Sequence, residues 1–404
     1  MTEFAAVERS SPETYIDSSA SVAPAQLPRL AIILIELALA VGGFGIGTGE
    51  FAIMGLLPDV ATTFSVTTPQ AGYVISAYAL GVVVGAPVIA VASARMSIFA
   101  IGNILSAIAP NFESFTLLRF ITGLPHGAYF GVAALVAASM APLHKRASAV
   151  GRVMLGLTTA TLIGTPIATF FGQALSWRVA FLAVGAIGVL TVALIFIYLP
   201  KDKVSEGASF TRELGAFRRT QVWLTLGIAA VGYGGMFAVF SYIASTATQV
   251  AMMPESMVSV IMALFGVGMI TGNLVGGKLG EYSLMGTIGG SILYNIVVLT
   301  VFSLTAGNPF MLCLCVYLVG CGFAAGPAIQ TRLMDVAADA QTLAAASNHS
   351  AFNIANALGA WLGGLVITWG YGFAATGYVG ALLSIAGLGV FAVSYLLDRG
   401  ARRA

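Results

Sequence analysis

Gly47-Thr48-Gly49-Glu50-Phe51-Ala52-Ile53-Met54-Gly55-Leu56-Leu57-Pro58-Asp59 closes the first long apolar run of the chain and sets one carboxylate, Glu50, well inside it. An ionisable group in hydrocarbon costs about 2.5–3.5 kcal/mol on insertion scales, so such a residue usually marks a pathway or a relay. Whether this run lies in lipid therefore decides both the fold and the meaning of Glu50. Of 404 residues, 58% are hydrophobic and 8% charged, against about 25% charged in a soluble protein. Mean hydropathy is +0.94. That balance excludes a soluble globular chain and defines a polytopic membrane protein.

A membrane span needs about 20 apolar residues. Runs of that kind fall at 30–58, 70–94, 96–110, 112–140, 149–173, 177–199, 222–248, 257–279, 284–306, 309–334, 341–369 and 373–397. Each backbone group in lipid must find its partner within its own segment, so the spans are helices. The expected fold is an all-α membrane protein of twelve transmembrane helices, divided six and six by the polar stretch Lys201–Thr220. The third run is anomalous. Fifteen residues make roughly 22 Å of helix against a hydrocarbon core of about 30 Å. The corresponding organisation is a disordered cytoplasmic tail over 1–28, an N-terminal six-helix half over 29–200 and a linker over 201–221. A second half over 222–398 and a short tail over 399–404 complete the chain.

Charge distribution orients the bundle. Of 18 Lys and Arg, all but Arg119 and Arg178 fall on the side of the N-terminus. The excess of cations on the cytoplasmic side of membrane proteins puts both termini and the central linker in the cytoplasm. Weak internal repetition supports two related halves. Setting Gly164 against Gly359 brings Thr158 onto Asn353, Thr161 onto Asn356 and Gly185 onto Gly380. Two six-helix halves related along the membrane normal hold a site between them near the midplane. Cys313, Cys315 and Cys321 lie in one apolar run and imply no disulfide framework. Three dispersed histidines form no metal cluster, and neither metal nor cofactor is expected.

Two stretches carry a family resemblance: Thr48 to Asp59 in the opening run, and Leu118-Arg119-Phe120-Ile121-Thr122-Gly123-Leu124-Pro125-His126-Gly127-Ala128 in the fourth span. Together they resemble the major facilitator superfamily, in the branch of proton-driven sugar-efflux and chloramphenicol-type drug-efflux permeases. Gly156 through Gly164-Thr165-Pro166 to Gly172 is similar to the family's antiporter motif. Gly276-Gly277-Lys278-Leu279-Gly280-Glu281 resembles its loop signature after the eighth span. The resemblance implies gating roles for Gly156, Gly164, Pro166, Lys278 and Glu281. One departure stands out. The family's basic loop between spans two and three is missing, because Ala94-Arg95-Met96-Ser97 passes straight into Ile98.

The polar residues inside the spans are the candidates for chemistry. Glu50 in span one and Arg119 in span four both lie roughly 9–10 Å from the midplane toward the outside. Equal depth permits them to pair, and two buried opposite charges need each other. A carboxylate that gains and loses such a neighbour as the bundle rocks changes its proton affinity, which is what proton coupling requires. A static structural pair is the alternative. Glu36, nearer the cytoplasmic end, is either a proton exit or an interfacial residue, and Asp59 is expected to be solvated. His126 follows Arg119 by seven residues, on nearly the same helix face. His349, Asn353 and Asn356 form a polar stripe that must face the bundle interior. Tyr233 and Phe237, with Phe240, share that spacing in span seven and suit an aromatic wall. His126, Tyr233, Phe237, His349, Asn353 and Asn356 are therefore candidate substrate contacts.

The expectation is a monomeric, multi-pass carrier in the inner or plasma membrane, in contact with lipid and exporting small organic molecules against an inward flow of protons. No nucleic-acid partner and no enzymatic activity are expected. An uncoupled sugar or nucleoside facilitator remains open, as does a transport-impaired relic of the shortened third span.

Overall fold

The computed structural model describes residues 28–85, 92–141, 146–199, 217–337 and 341–401. The expected N-terminal tail, apart from Pro28, lies outside the described residues, as does the linker up to residue 216. The described residues are helical throughout, with no strand among them. The first half contains α1 (Arg29–Gly55), α2 (Tyr73–Gly85), α3 (Ala92–Ala107), α4 (Phe112–Ser139), α5 and α6 (Trp177–Tyr198). Helix α5 joins Arg146–Thr159 to Thr165–Ala174 through a π-turn at Ala160–Gly164. The second half contains α7 (Thr220–Gly232, continued by Gly234–Ser241), α8 (Ser256–Tyr282), α9 (Leu284–Thr305), α10, α11 (Gln341–Thr368) and α12 (Thr376–Ala401). Helix α10 joins Pro309–Cys321 to Gly326–Ala337 through a 3-10 turn at Gly322–Ala325.

Nine helices among the described residues are long and apolar enough to cross a membrane. The remaining three helices, α2, α3 and α4, are consistent with the twelve passages read from the sequence. We call the side where α1 begins and α12 ends the terminal face, and the opposite side the far face. The small shifts in boundary have local causes. Ser176, Ser283 and Asn308 cap the starts of α6, α9 and α10 by accepting from Arg178, Gly286 and Met311 backbone N–H groups. Helix α12 runs on to Ala401, into the stretch 399–404 expected as a tail.

The third span is short, as expected, but it occupies Ala92–Ala107 rather than 96–110. It gains residues at its start and stops early at the far face. There the Arg178 side chain takes over the loose end, its Nη1 donating to the carbonyls of Ala107 at 2.7 Å and Ala109 at 3.1 Å. Carbonyls at a helix C-terminus lack intrahelical partners. Stacking on Trp177, 4.5 Å from the ring centroid, holds the guanidinium in place.

Glycine sets the spacing of the inner helices. A Cβ at Gly156 would collide with the Ala40 carbonyl, and one at Gly164 with the Thr48 hydroxyl, so α5 lies directly against α1. The repeat places Gly359 where Gly164 stands, and a Cβ there would strike the α7 backbone at Gly234 and Ala238. The same contact thus recurs in both halves. Pro166 explains the π-turn before it: a proline ring clashes with the carbonyl four residues back, here Leu162, and the wider turn relieves this.

The halves touch from the far face inward. Ser76 Oγ on α2 donates to the Ala357 carbonyl on α11 at 3.2 Å. Phe51 on α1 meets Phe240 on α7 edge-on at 6.1 Å. A Cβ on Gly266 of α8 would run into the Thr161 carbonyl of α5. Below these contacts, the interface holds the polar residues of the sequence reading.

Candidate functional site

Helix α1 carries Glu50 one turn before its end, against α4 and α11. Glu50 is 5% exposed, Arg119 is 0% and His126 2%. Asn356 of the second half donates from Nδ2 to Glu50 Oε1 at 3.3 Å. His126 of the first half brings Nδ1 to 3.7 Å from Oε2. One carboxylate is thereby held from both halves at once.

Arg119 lies beside this carboxylate but does not close the ion pair that equal depth permits. Its Nη2 donates instead to the Gly49 carbonyl at 2.9 Å. The guanidinium carbon rests 4.3 Å from the Tyr78 ring centroid and 5.2 Å from that of Phe181. Nε and Nη1 have no hydrogen-bond partner among the described residues. The guanidinium thus lies within electrostatic reach of Glu50 without forming a salt bridge to it. Tyr78, which the sequence reading did not single out, joins the centre twice. Its ring carries Arg119, and its hydroxyl lies 3.1 Å from His126 Nδ1. A lone tyrosine in an apolar span gives no signal for this role.

The α11 stripe divides. Asn356 reaches Glu50. His349 crosses to α4, stacking on Phe130 at 5.2 Å with an interplanar angle of 7° and approaching His126 at 6.3 Å between centroids. Asn353 donates to the His349 carbonyl of its own helix at 3.0 Å. The Oδ1 atoms of Asn353 and Asn356 and the Thr48 hydroxyl are buried without a partner among the described residues. The aromatic residues of α7 pack in two directions. Tyr233 packs within the second half, 5.7 Å from Phe352, and Phe237 is buried beside it on α7. Phe240, stacked on Phe265 at 3.7 Å, is the one that reaches the first half.

Glu36 does not lie free at the interface. Arg152 of α5 grips it from Nη2 at 2.6 Å and from Nε at 2.7 Å. Bidentate geometry of this kind fixes both groups. Lys278 and Glu281 lie exposed at the terminal-face end of α8, remote from Glu50. Glu281 borders a charged cavity of about 680 Å³ that also contains Arg332, Asp335, Asp398 and Arg399. Gly156, Gly164 and Pro166 all lie on the α5 surface against α1 or at its π-turn. On the far face, a cavity of about 430 Å³ between the halves is lined by Asp59, Gln173, Trp177, Thr248 and Glu255. Asp59 there is partly buried rather than fully solvated.

Two related helical halves enclosing a buried polar site define a membrane transporter of small molecules, not an enzyme. The chain belongs to the Major Facilitator Superfamily, whose family model matches residues 39–337. It is 40% identical over 368 residues to the inner membrane transport protein YdhP of Escherichia coli, covering 88% of this chain and 94% of that one. It is 29% identical over 338 residues to a chloramphenicol resistance protein of Streptomyces lividans, covering 80% and 86% respectively. Its fold matches the crystal structure of a bacterial homologue of the lysosomal transporter Spinster with a TM-score of 0.69 at 16% identity, covering 91% of this chain and 98% of that one.

Proposed function

We propose that this chain exports small organic molecules by proton antiport, with alternating access to a site between its halves. Glu50 binds the proton, and Arg119 competes with that proton for the carboxylate. The observation that carries the reading is the pair of contacts on Glu50, one from Asn356 and one from His126. Rocking of one half against the other must change the surroundings of a carboxylate held by both. A ligand can only shift such an equilibrium through differential contacts in the two states, and Glu50 supplies them for a proton.

The terminal face is cytoplasmic and the far face external, in keeping with the bias of Lys and Arg. The YdhP likeness supports an inner-membrane location. His126, His349, Asn353 and Asn356 offer polar contacts to the substrate, and Tyr233 and Phe237 shape its apolar side. The π-turn between Gly156 and Pro166 is the hinge over which α5 slides on α1. Lys278 and Glu281 act at the cytoplasmic end, where the charged cavity forms a gate. The protein works as a monomer in lipid. Chloramphenicol-like amphiphiles are the first substrate class to try, given the resistance-protein likeness, and sugars the second.

Efflux from proteoliposomes under an imposed pH gradient tests the reading. Gradient-driven transport of chloramphenicol or a pentose that is lost in Glu50→Gln supports it. Transport that ignores the gradient, or that survives the substitution, refutes it.

A further inference from the structure

The coupling reading leaves the proton at Glu50, with no stated way to the cytoplasm. Glu36 lies on the same helix nearer that side, but Arg152 holds both its oxygens. A carboxylate fixed in a bidentate pair is a poor station for a moving proton. The direction of the side chains points elsewhere.

Helical side chains lean toward the N-terminus of their own helix. Helix α1 starts at the cytoplasmic face, so Glu50 leans inward. Helix α4 runs the other way, so His126 leans outward, and the two meet at 3.7 Å. Helix α11 starts at the cytoplasmic face again, so His349 leans inward from the level of His126. His349 also lies seven residues, or about 10 Å, closer to the cytoplasm than Asn356, the partner of Glu50. The imidazoles are 6.3 Å apart between centroids, a separation of the size a single bridging water can cross. Both rings rest on Phe130, at 5.3 Å and 5.2 Å. Of the three groups, Glu50 and His126 are buried, whereas His349 is partly exposed. On the external side, the contacts Ser76–Ala357 and Phe51–Phe240 bring the halves together above them.

We infer that His349 is the cytoplasmic exit group of a proton path Glu50–His126–His349, which carries the proton from the first half into the second. This rests on the proton-coupled reading. With the His126 proton on Nε2, its Nδ1 lone pair accepts from the Tyr78 hydroxyl at 3.1 Å; that hydroxyl turns away as Nδ1 takes the proton of the Glu50 carboxyl, breaking O–H and forming N–H. The cation then loses the Nε2 proton toward His349, directly or through water, and His349 releases one proton to the cytoplasm. Tautomerisation through water, in which Nδ1 gives up its proton as Nε2 takes one, restores the starting state with no net proton moved. Among the described residues, the other charged or titratable groups facing this path are Tyr78 of α2, whose hydroxyl lies 3.1 Å from His126 Nδ1, and Arg119 of α4. Tyr78 holds the imidazole in line, and Arg119 keeps the deprotonated Glu50 compensated.

Time-resolved infrared spectroscopy after a pH jump, on the full-length purified protein in detergent, tests the path without any substrate. The Glu50 signal is the carboxyl band that disappears in Glu50→Gln. The expected result is that His349→Gln and His349→Ala keep the amplitude of this band but lose its proton at least tenfold more slowly. Added imidazole should restore the rate of His349→Ala. Rates within twofold of the parent in both variants overturn the path while leaving proton coupling intact. A fast His349→Gln beside a slow His349→Ala also overturns it, because glutamine cannot carry the proton and hydration alone would then suffice. A parent protein with no titrating Glu50 band overturns the coupling reading itself, and the path with it.

Discussion

Replacing Arg119 by methionine separates a working cation from a structural one. In favour of the native guanidinium stand one hydrogen bond to the Gly49 carbonyl and two ring contacts, at 4.3 Å and 5.2 Å. A hydrogen bond from a charged donor contributes about 1.5–3 kcal/mol, and a desolvated cation–π contact about 2. The total is about 5–7 kcal/mol. Against it stand the cost of a fully buried charge, at least about 3 kcal/mol, and two nitrogens without a partner, each costing about 1–3. The sides nearly cancel. Methionine fills similar volume, carries no charge and packs well against aromatic rings. Arg119→Met is therefore expected to melt at the parent temperature or a little higher in detergent, read from tryptophan fluorescence, while gradient-driven efflux is lost. Buried charges replaced by apolar groups of similar size often behave in this way. A fall in the melting midpoint of roughly 5 °C or more, equivalent to several kcal/mol, would refute the reasoning and make Arg119 a clamp between α1, α2 and α4.

Gly156→Val forces a side chain into the Ala40 carbonyl, and overpacking of this kind costs about 1–3 kcal/mol. A lowered melting midpoint is expected, and an unchanged one would show that α5 yields freely against α1. Arg178→Gln strips the carbonyls of Ala107 and Ala109 of their charged donor, at a cost of about 1.5–3 kcal/mol. Faster amide exchange confined to the far end of α3 is the diagnostic readout, and uniform exchange would count against the capping role. At the far-face cavity, burial raises the Asp59 carboxyl above the usual carboxylate value; its own backbone hydrogen bond opposes this, and the Glu255 carboxylate adds to it. The folded, closed state thus holds a proton that the unfolded chain has released, and stability falls as pH rises from the ordinary carboxylate value through the raised one. Asp59→Asn should flatten that fall in a series of melts across the acid range, and an unchanged slope would exclude Asp59 as its source.

The fold was legible because lipid leaves so few solutions. Runs of twenty apolar residues must be helices, and twelve of them with a polar midpoint define two halves. The lengths were readable where charge or proline ends a run, as at Pro309 and Tyr198. They were not readable where tertiary partners set the end. The third helix stops at Ala107 because Arg178 reaches over from the start of α6, some seventy residues away. The π-turn at Ala160–Gly164 was only half visible: Pro166 announces a defect, but its form depends on how closely α1 lies against α5.

At the site, periodicity and depth located Glu50, Arg119, His126 and the α11 stripe, since each is a polar exception in an apolar run. Pairing was another matter. Depth alone put Arg119 level with Glu50, yet the guanidinium chose the Gly49 carbonyl and two aromatic faces, one of them belonging to the unremarked Tyr78. Likewise Glu36 and Arg152 were both visible as charges near the terminal face, but their separation of 116 residues hid the bond between them. That bond has a consequence for the whole centre. With one intramembrane acid committed to a fixed cation, Glu50 is left as the acid whose partners come from both halves. A group in that position can register their relative movement, and no residue held within one half can do the same.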